Sequence, residues 1–385
     1  MRILFLLIVI TILGIIHGYV GWRFMTSLKL SPGSRFIAWF ILILLAYAPL
    51  IPAILRFNGF ENRIIDIFSA LGYISLGFFI LTFLAFIARD LVFGLGLLGS
   101  RLLAQPVSLS LLLSGALNRG IVIVTAGLTM IGFHQARQAP VVEKVTVPVS
   151  GLPAELDGFT IAQISDIHVG PTIKRSFVEN IVDIVNTLQP DIIALTGDLV
   201  DGSVSHLSRE VEPLQTLRAP YGKFFITGNH EYYSGVDSWL KKTKALGFTN
   251  LINENTTVMV RGYPLVIMGV TDMTAHEIEP THKSDVVKAA RNRPDPSFSL
   301  LLAHQPGSVH AAVAAGVDLM ITGHTHAGQF VPFNWLVARA HPYIEGLHHH
   351  QGMWLYVNRG SGYWGPPLRL GMTNEITLLT LQRIP

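Results

Sequence analysis

Two histidines two residues apart, His324 and His326, stand in the stretch DLMITGHTHAGQF, with Gly323 ahead of them and Gly328 behind. Residues at i and i+2 of an extended segment point to the same side, so both imidazoles can face one target, and a metal ion is the obvious candidate. Four other short stretches carry side chains of similar chemistry: Asp166 and His168 in DIH, Asp198 in GDLV, Asn229 and His230 in GNHE, and His304 in LLAHQP. Aspartate, asparagine and histidine suit hard or borderline divalent ions. Taken singly, each stretch has a plainer reading: Asp-x-His as a loop pair, Gly-Asp as a turn, and a lone histidine beside Pro306 as a hydrogen-bonded loop residue. The ordered set of five is the stronger signal.

Each of the five follows a short apolar run, and a helical pattern follows several of them. After DIH, the segment RSFVENIVDIVNTLQ sets Phe177, Ile181, Ile184, Val185 and Leu188 on one helical face. Strand, polar tip, amphipathic helix is the grammar of a layered α/β domain, whose sites gather at the carboxyl ends of the strands. Val141, Val142, Val145, Val147 and Val149 predict a β-rich beginning, punctuated by Pro140, Pro148, Pro153 and Gly151. Gly197, Gly228 and Gly323 precede ligands at sharp strand ends, where the missing Cβ permits tight turns.

Ahead of this domain the composition is different. Half of the 385 residues are hydrophobic and only 14% are charged, and the apolar excess lies towards the amino terminus. Residues 3–20, 36–55 and 64–88 each approach or exceed the ~20 apolar residues that span a bilayer. A weaker candidate runs from Leu117 to Phe133. Residues 91–117, broken by glycines, Arg101 and Pro106, read as an interfacial or loop segment. A cleaved signal peptide is the alternative for residues 3–20, but no small-x-small cleavage site follows Val20 and further apolar segments do, so an anchor is expected. The expected organisation is a membrane region over 1–136 with about four transmembrane helices, then a soluble domain over 137–385. His17, alone in the first span, is assigned no role.

With four spans, Arg23, Lys29, Arg35, Arg89, Arg101 and Arg119 lie on one side of the membrane, and Arg2, Arg56, Arg63 and Arg137 on the other. The positive-inside bias then sends the soluble domain to the outer face. A further span within 91–117 would reverse this. The absence of cysteine excludes disulfides and thiolate ligands. A net charge of +3, with no basic run interleaved with aromatics, gives no reason to expect nucleic acid as a partner.

The blocks DIH, GDLV, GNHE, LLAHQP and GHTHAGQ resemble the signature blocks of the calcineurin-like metallophosphoesterases, and the similarity covers residues 140–385. The tail YVNRGSGYWGPPLRLGMTNEITLLTL resembles that of a bacterial, membrane-tethered phosphodiesterase subgroup. By that resemblance the fold is a four-layer α/β/β/α sandwich with two divalent ions, Mn, Fe or Zn, at one edge. Asp166, His168 and His326 would hold the first ion, Asp198 would bridge both, and Asn229, His304 and His324 would complete the second. A hydroxide shared by the ions would attack in line, and His230 would face the phosphate and donate to the leaving oxygen. Glu231 stands where many relatives have aspartate. Asp201, three residues beyond Asp198, is either a group that orients a ligand or a turn aspartate.

Other histidines receive plainer expectations. GLHHHQG (346–352) is expected to be a solvated loop, and His276, His282 and His341 fall in the segments DMTAHEIEPTHKSD and FNWLVARAHPYIEG, expected to be long loops that shape access. Phe330, Trp335 and Tyr343 are expected to meet a lipid or sugar portion. The function that follows is a hydrolase of a phosphodiester or pyrophosphate bond, anchored in a bacterial inner membrane, with a phosphorylated small molecule or lipid as substrate. A catalytically silent scaffold or membrane-assembly protein of the same fold is the alternative, and degraded ligands would mark it.

Overall fold

A computed structural model describes residues 2–104 and 109–385, so Pro106 lies outside the described residues. The chain divides into two compact units: one of residues up to His134 together with Gly365–Leu368, the other of Gln135–Trp364 with Arg369–Pro385.

The first unit is helical: α1 (Arg2–Met25), α2 (Pro32–Tyr47), α3 (Leu50–Phe57), α4 (Arg63–Leu102) and α5 (Gly115–Ala136, whose last residues count with the second unit). Among the described residues, four stretches are long and apolar enough to cross a membrane: Leu6–Met25, Pro32–Arg56, Arg63–Leu102 and Gly115–Ala136. The second of these is two helices meeting at Pro49, which has no N–H to continue the first. Gly72 of α4 leaves room for that joint, since a Cβ there would come within 2.8 Å of the Pro49 backbone.

Residues 91–102 correct the loop expectation, because α4 runs through them without interruption for 40 residues, about 60 Å at helical rise. A helical glycine costs only about 1 kcal/mol relative to alanine, so Gly94, Gly96 and Gly99 lower helix propensity without ending the helix. His17 is buried, its Nδ1 2.9 Å from the Leu13 carbonyl and its ring 4.1 Å from Phe79. Polar side chains in this unit pair with one another: Tyr19 and Arg23 with Asp90, Arg89 with Asn118, and Thr82 with Thr125 at 2.9 Å. Pairing of this kind is what the cost of lone polar groups in an apolar medium requires.

The second unit holds two six-stranded sheets. Its elements in chain order are β1 (Val141–Ser150), β2 (Thr160–Ile164), α6 (Arg175–Leu188), β3 (Ile192–Leu195), α7 (Val204–Leu207), β4 (Lys223–Phe225), α8 (Asn229–Tyr233) and α9 (Val236–Ala245), then β5 (Thr249–Asn250), β6 (Glu254–Val260) and β7 (Tyr263–Gly269). There follow α10 (Val286–Ala289), β8 (Phe298–Leu302), α11 (Val309–Ala314), β9 (Leu319–Thr322), α12 (Phe333–Ala340), β10 (Gly346–His350), β11 (Met353–Val357) and β12 (Glu375–Ile384). The first sheet has the order β1-β12-β2-β3-β4-β5 and the second β10-β11-β9-β8-β7-β6.

Side chains of one strand alternate between two apolar layers. In β3, Ile193 and Leu195 join Phe177, Ile181 and Trp239 of the flanking helices, while Ile192 and Ala194 face the interior between the sheets. In β9, Leu319 and Ile321 face that same interior, and Met320 packs with Val309 and Ala312 of α11. Helix, sheet, sheet, helix is therefore the order of the layers, and strands buried on both faces explain the near-continuous apolar runs.

Two loop expectations are corrected. GLHHH is the edge strand β10, antiparallel to β11 with His348 opposite Leu355, and Gln351 and Gly352 turn the hairpin with φ of 49° and 90°. Two positive φ angles suit a two-residue hairpin turn, so pairing to the apolar β11 overrides the weak strand propensity of histidine. FNWLVARA is the helix α12 rather than loop.

Candidate metal centre

Strands β2, β3, β4, β8 and β9 end just before Asp166, Asp198, Asn229, His304 and His324 respectively. Beyond each end the backbone turns abruptly. Asp166, His168, Asp198, His324 and His326 all have φ between 49° and 69°, a left-handed conformation that costs a residue with a Cβ about 1–2 kcal/mol. Such conformations persist where the surroundings over-determine them, and they cluster at functional sites. Gly228 and Gly323 are needed for a different reason. A Cβ on Gly228 would overlap Asp198 Oδ1, and one on Gly323 would overlap Ser165 Oγ and Asp166 Oδ2.

The turns bring together candidate side chains far apart in sequence: His168 Nε2 lies 3.1 Å from His326 Nε2, and His326 Nε2 lies 3.5 Å from Asp166 Oδ1. On the other side, His304 Nε2 is 3.2 Å from Asp198 Oδ2, and His324 Nδ1 is 3.1 Å from His304 Nε2. Asp198 Oδ2 lies also 3.7 Å from His168 Nε2, between the two groups. Within each of the sets Asp166–His168–His326, His168–Asp198–His230 and Asp198–His304–His324, potential ligand atoms lie within 4.8 Å of one another. Asn229 Oδ1 is buried and has no hydrogen-bond partner. A buried amide oxygen without a donor is costly unless a cation takes its place, so this atom fits an ion-binding role.

A second ring of groups aims these side chains. Asp201 Oδ1 accepts from His168 Nδ1 at 3.0 Å and from His230 Nδ1 at 2.6 Å, so one carboxylate orients a candidate ligand and the candidate catalytic histidine. Of the two sequence readings of Asp201, the structure therefore favours the orienting one. His304 Nδ1 meets the Thr196 carbonyl at 2.8 Å, which leaves Nε2 facing Asp198. The His230 backbone N–H donates to Asp198 Oδ1 at 2.9 Å.

Two further residues carry weight that sequence reasoning did not assign. Glu231 is fully buried and accepts three backbone N–H groups, from Gly228, Asp198 and Leu199 at 2.7, 3.0 and 2.8 Å, so it ties the β3 and β4 turns together. Arg369 is fully buried and donates to the carbonyls of His326, Arg359 and Gly362 at 3.0, 2.8 and 2.6 Å. GNHE pointed to Glu231 only through its neighbours. Nothing local to PPLRLG marks Arg369, because its partners are set by tertiary packing.

Burial opposes charge throughout, and neighbouring charges outweigh it at Asp198 and His230 but not at His324 or Glu231. It raises the carboxyl of Asp198, but His304, His230 and His168 outweigh it and hold that group well below the usual range. Burial depresses His230, and the charges of Asp198 and Asp201 overcome this and lift it to about 9. His324, desolvated and next to His304, is pushed down to about 3. Burial and the nearby Asp198 charge raise Glu231 to about 8. Closely spaced buried carboxylates that draw protons onto neighbouring imidazoles are a focus of negative potential, which a divalent cation would satisfy.

The remaining histidines sort clearly. His341 comes to the site, its ring 5.3 Å from His324, whereas His282 bonds Tyr232 at 3.0 Å and His276 bonds the Met273 carbonyl at 3.1 Å. Of the aromatics expected to meet substrate, Phe330 is buried and the Tyr343 hydroxyl is engaged with His350 at 2.7 Å, which leaves Trp335 exposed. Trp364 and Tyr233, both exposed, lie with their rings 6.1 and 5.3 Å from His230.

Comparison with known proteins places this geometry in a family. The calcineurin-like phosphoesterase family model matches residues 159–328. A transmembrane protein with metallophosphoesterase domain from Bos taurus is 38% identical over 275 residues, 69% of this chain and 62% of that protein, so the chain spans less than two thirds of the bovine relative. Its counterpart in Danio rerio is 35% identical over 82% of this chain and 73% of that protein. An uncharacterized metallophosphoesterase of Campylobacter jejuni is 28% identical over 99% of this chain and 98% of that protein. The chain belongs to the calcineurin-like metallophosphoesterase family, and the matched segment carries each of the candidate ligands from Asp166 to His326.

Proposed function

We propose that this protein is a membrane-anchored hydrolase of a phosphodiester or pyrophosphate bond, dependent on two divalent ions and acting on a substrate held at the membrane. In this reading Asp166, His168 and His326 hold one ion, Asn229, His304 and His324 the other, and Asp198 both. The donor set fits such ions, since it offers only oxygen and imidazole nitrogen and includes the unpartnered Asn229 Oδ1. When bound, the ions supply Lewis-acid neutralisation of phosphoryl oxygens and lower the pKa of water for in-line attack. His230, held through Nδ1 by Asp201, keeps Nε2 for the substrate and donates to the leaving oxygen. The exposed Trp364 and Tyr233 flank that histidine and screen the reacting bond from bulk water on their sides. The membrane is a bacterial cell membrane, with the hydrolase on the outer face.

The observation that carries this reading is the overlap of the three ligand sets through His168 and Asp198. The test is turnover of bis-p-nitrophenyl phosphate by the purified protein loaded with Mn²⁺. Turnover is expected to be lost in Asp198→Asn, and to fall about 10²–10⁴-fold in His230→Ala with metal content kept. A protein that binds two equivalents of metal and turns over no phosphodiester, pyrophosphate or phosphomonoester would instead be the scaffold.

A further inference from the structure

Helix α12 is the element whose surface the hydrolase reading leaves unexplained. It is eight residues long and has no buried residue, yet it carries Phe333, Trp335, Leu336 and Val337. At 100° per residue, Asn334, Val337 and the C-cap residue His341 fall on one side. That side faces the metal-binding turn: Asn334 packs against Gly328, where a Cβ would overlap it, and the His341 ring lies 5.3 Å from His324. Phe333 stacks on the buried Phe330 at 5.5 Å. The opposite side carries Trp335, Leu336 and Arg339, with Trp335 68% and Leu336 60% exposed. Val331, just before the helix, is also exposed.

A tryptophan, a leucine and an arginine together on the outer side of a short helix, with no acid among them, is the chemistry of a membrane-interface element. Exposed apolar patches of this kind mark a binding surface. Chain continuity says which surface. Gln329 exchanges two hydrogen bonds with the Trp364 backbone, both 2.9 Å, and the Val331 N–H donates to the Leu370 carbonyl at 3.3 Å. Between Trp364 and Leu370, residues Gly365–Leu368 belong to the membrane unit. The start of α12 is thus hydrogen-bonded to the residues on both flanks of that segment.

We propose that the outer side of α12, formed by Trp335, Leu336 and Arg339, lies in the head-group layer of a phospholipid bilayer, so that the adjoining metal centre takes a phosphoester held in that bilayer. The second half of this statement rests on the hydrolase reading. The cysteine-free chain makes the test direct. A nitroxide at Leu336→Cys is compared with one at Lys241→Cys, on the exposed face of α9, in full-length protein with one copy per phospholipid nanodisc.

The expected result is that the label at 336 is relaxed several-fold more by oxygen than by a polar nickel chelate, with the reverse at 241. Equal behaviour of the two labels overturns the proposal. Shielding of the label at 336 from both reagents that grows with copies per disc also overturns it, in favour of a second copy on this face. Quenching of the native protein by brominated phospholipid, less that of Trp335→Phe, reads the same immersion without a label. Turnover of bis-p-nitrophenyl phosphate in the same discs separates the two readings. Turnover with an aqueous label overturns the immersion alone, and an immersed label without turnover upholds the immersion and overturns the hydrolase.

Discussion

Asp201 was only a candidate from its place three residues beyond Asp198, yet its carboxylate receives the Nδ1 atoms of both His168 and His230. Two imidazoles are thereby turned so that their Nε2 atoms face Asp198, at 3.7 and 3.9 Å. A group that holds imidazoles in this way sets their tautomer as well as their direction. Asp201→Ala is expected to weaken metal binding about 10–100-fold. Titration with Mn²⁺ followed by isothermal calorimetry would check this, and an affinity equal to that of the unsubstituted protein would remove Asp201 from the site. Glu231 shows the same economy at the backbone level, with one carboxylate satisfying three buried N–H groups. Both oxygens of its side chain are thereby engaged with the backbone.

At the scale of elements, the site is a set of strand ends that must turn without room for extra atoms. Gly323 and Gly158 separate the two demands on glycine. Gly158 has φ of 79° with nothing within 4 Å of a Cβ, whereas a Cβ on Gly323 would overlap Ser165 and Asp166. Gly158→Ala is expected to cost about 1 kcal/mol through strain and to leave metal content intact. Gly323→Ala is expected to cost about 1–3 kcal/mol and to lose metal, because Asp166 must shift. Thermal unfolding with elemental analysis of both variants measures the difference, and full metal occupancy in Gly323→Ala would contradict it. Among the elements misread from sequence, β10 shows why: three histidines have little strand preference of their own, and pairing with β11 supplied it. Over residues 91–102 of α4, apolar continuity outweighed three glycines.

At the scale of the whole molecule, four long apolar helical stretches among the described residues precede the second unit in the chain, and the basic residues divide unevenly between the two ends of those stretches. A single cysteine at Lys241, in a chain with none of its own, is expected to react with an impermeant maleimide in intact cells. Labelling only after lysis would reverse the proposed side. The residue types that meet at the centre were legible in the sequence, since strand, turn glycine and ligand recur within a few residues at DIH, GDLV, GNHE, LLAHQP and GHTHAGQ. The apolar runs likewise announced strands buried on both faces. What folding alone settled was which distant groups hold those side chains in place: Arg369 beneath the His326 carbonyl, Glu231 across two turns, and α12 against Gly328. Local pattern records the burial and turning of each segment. Contacts such as these depend on the register and packing of segments far apart in the chain, and no short stretch of sequence encodes that.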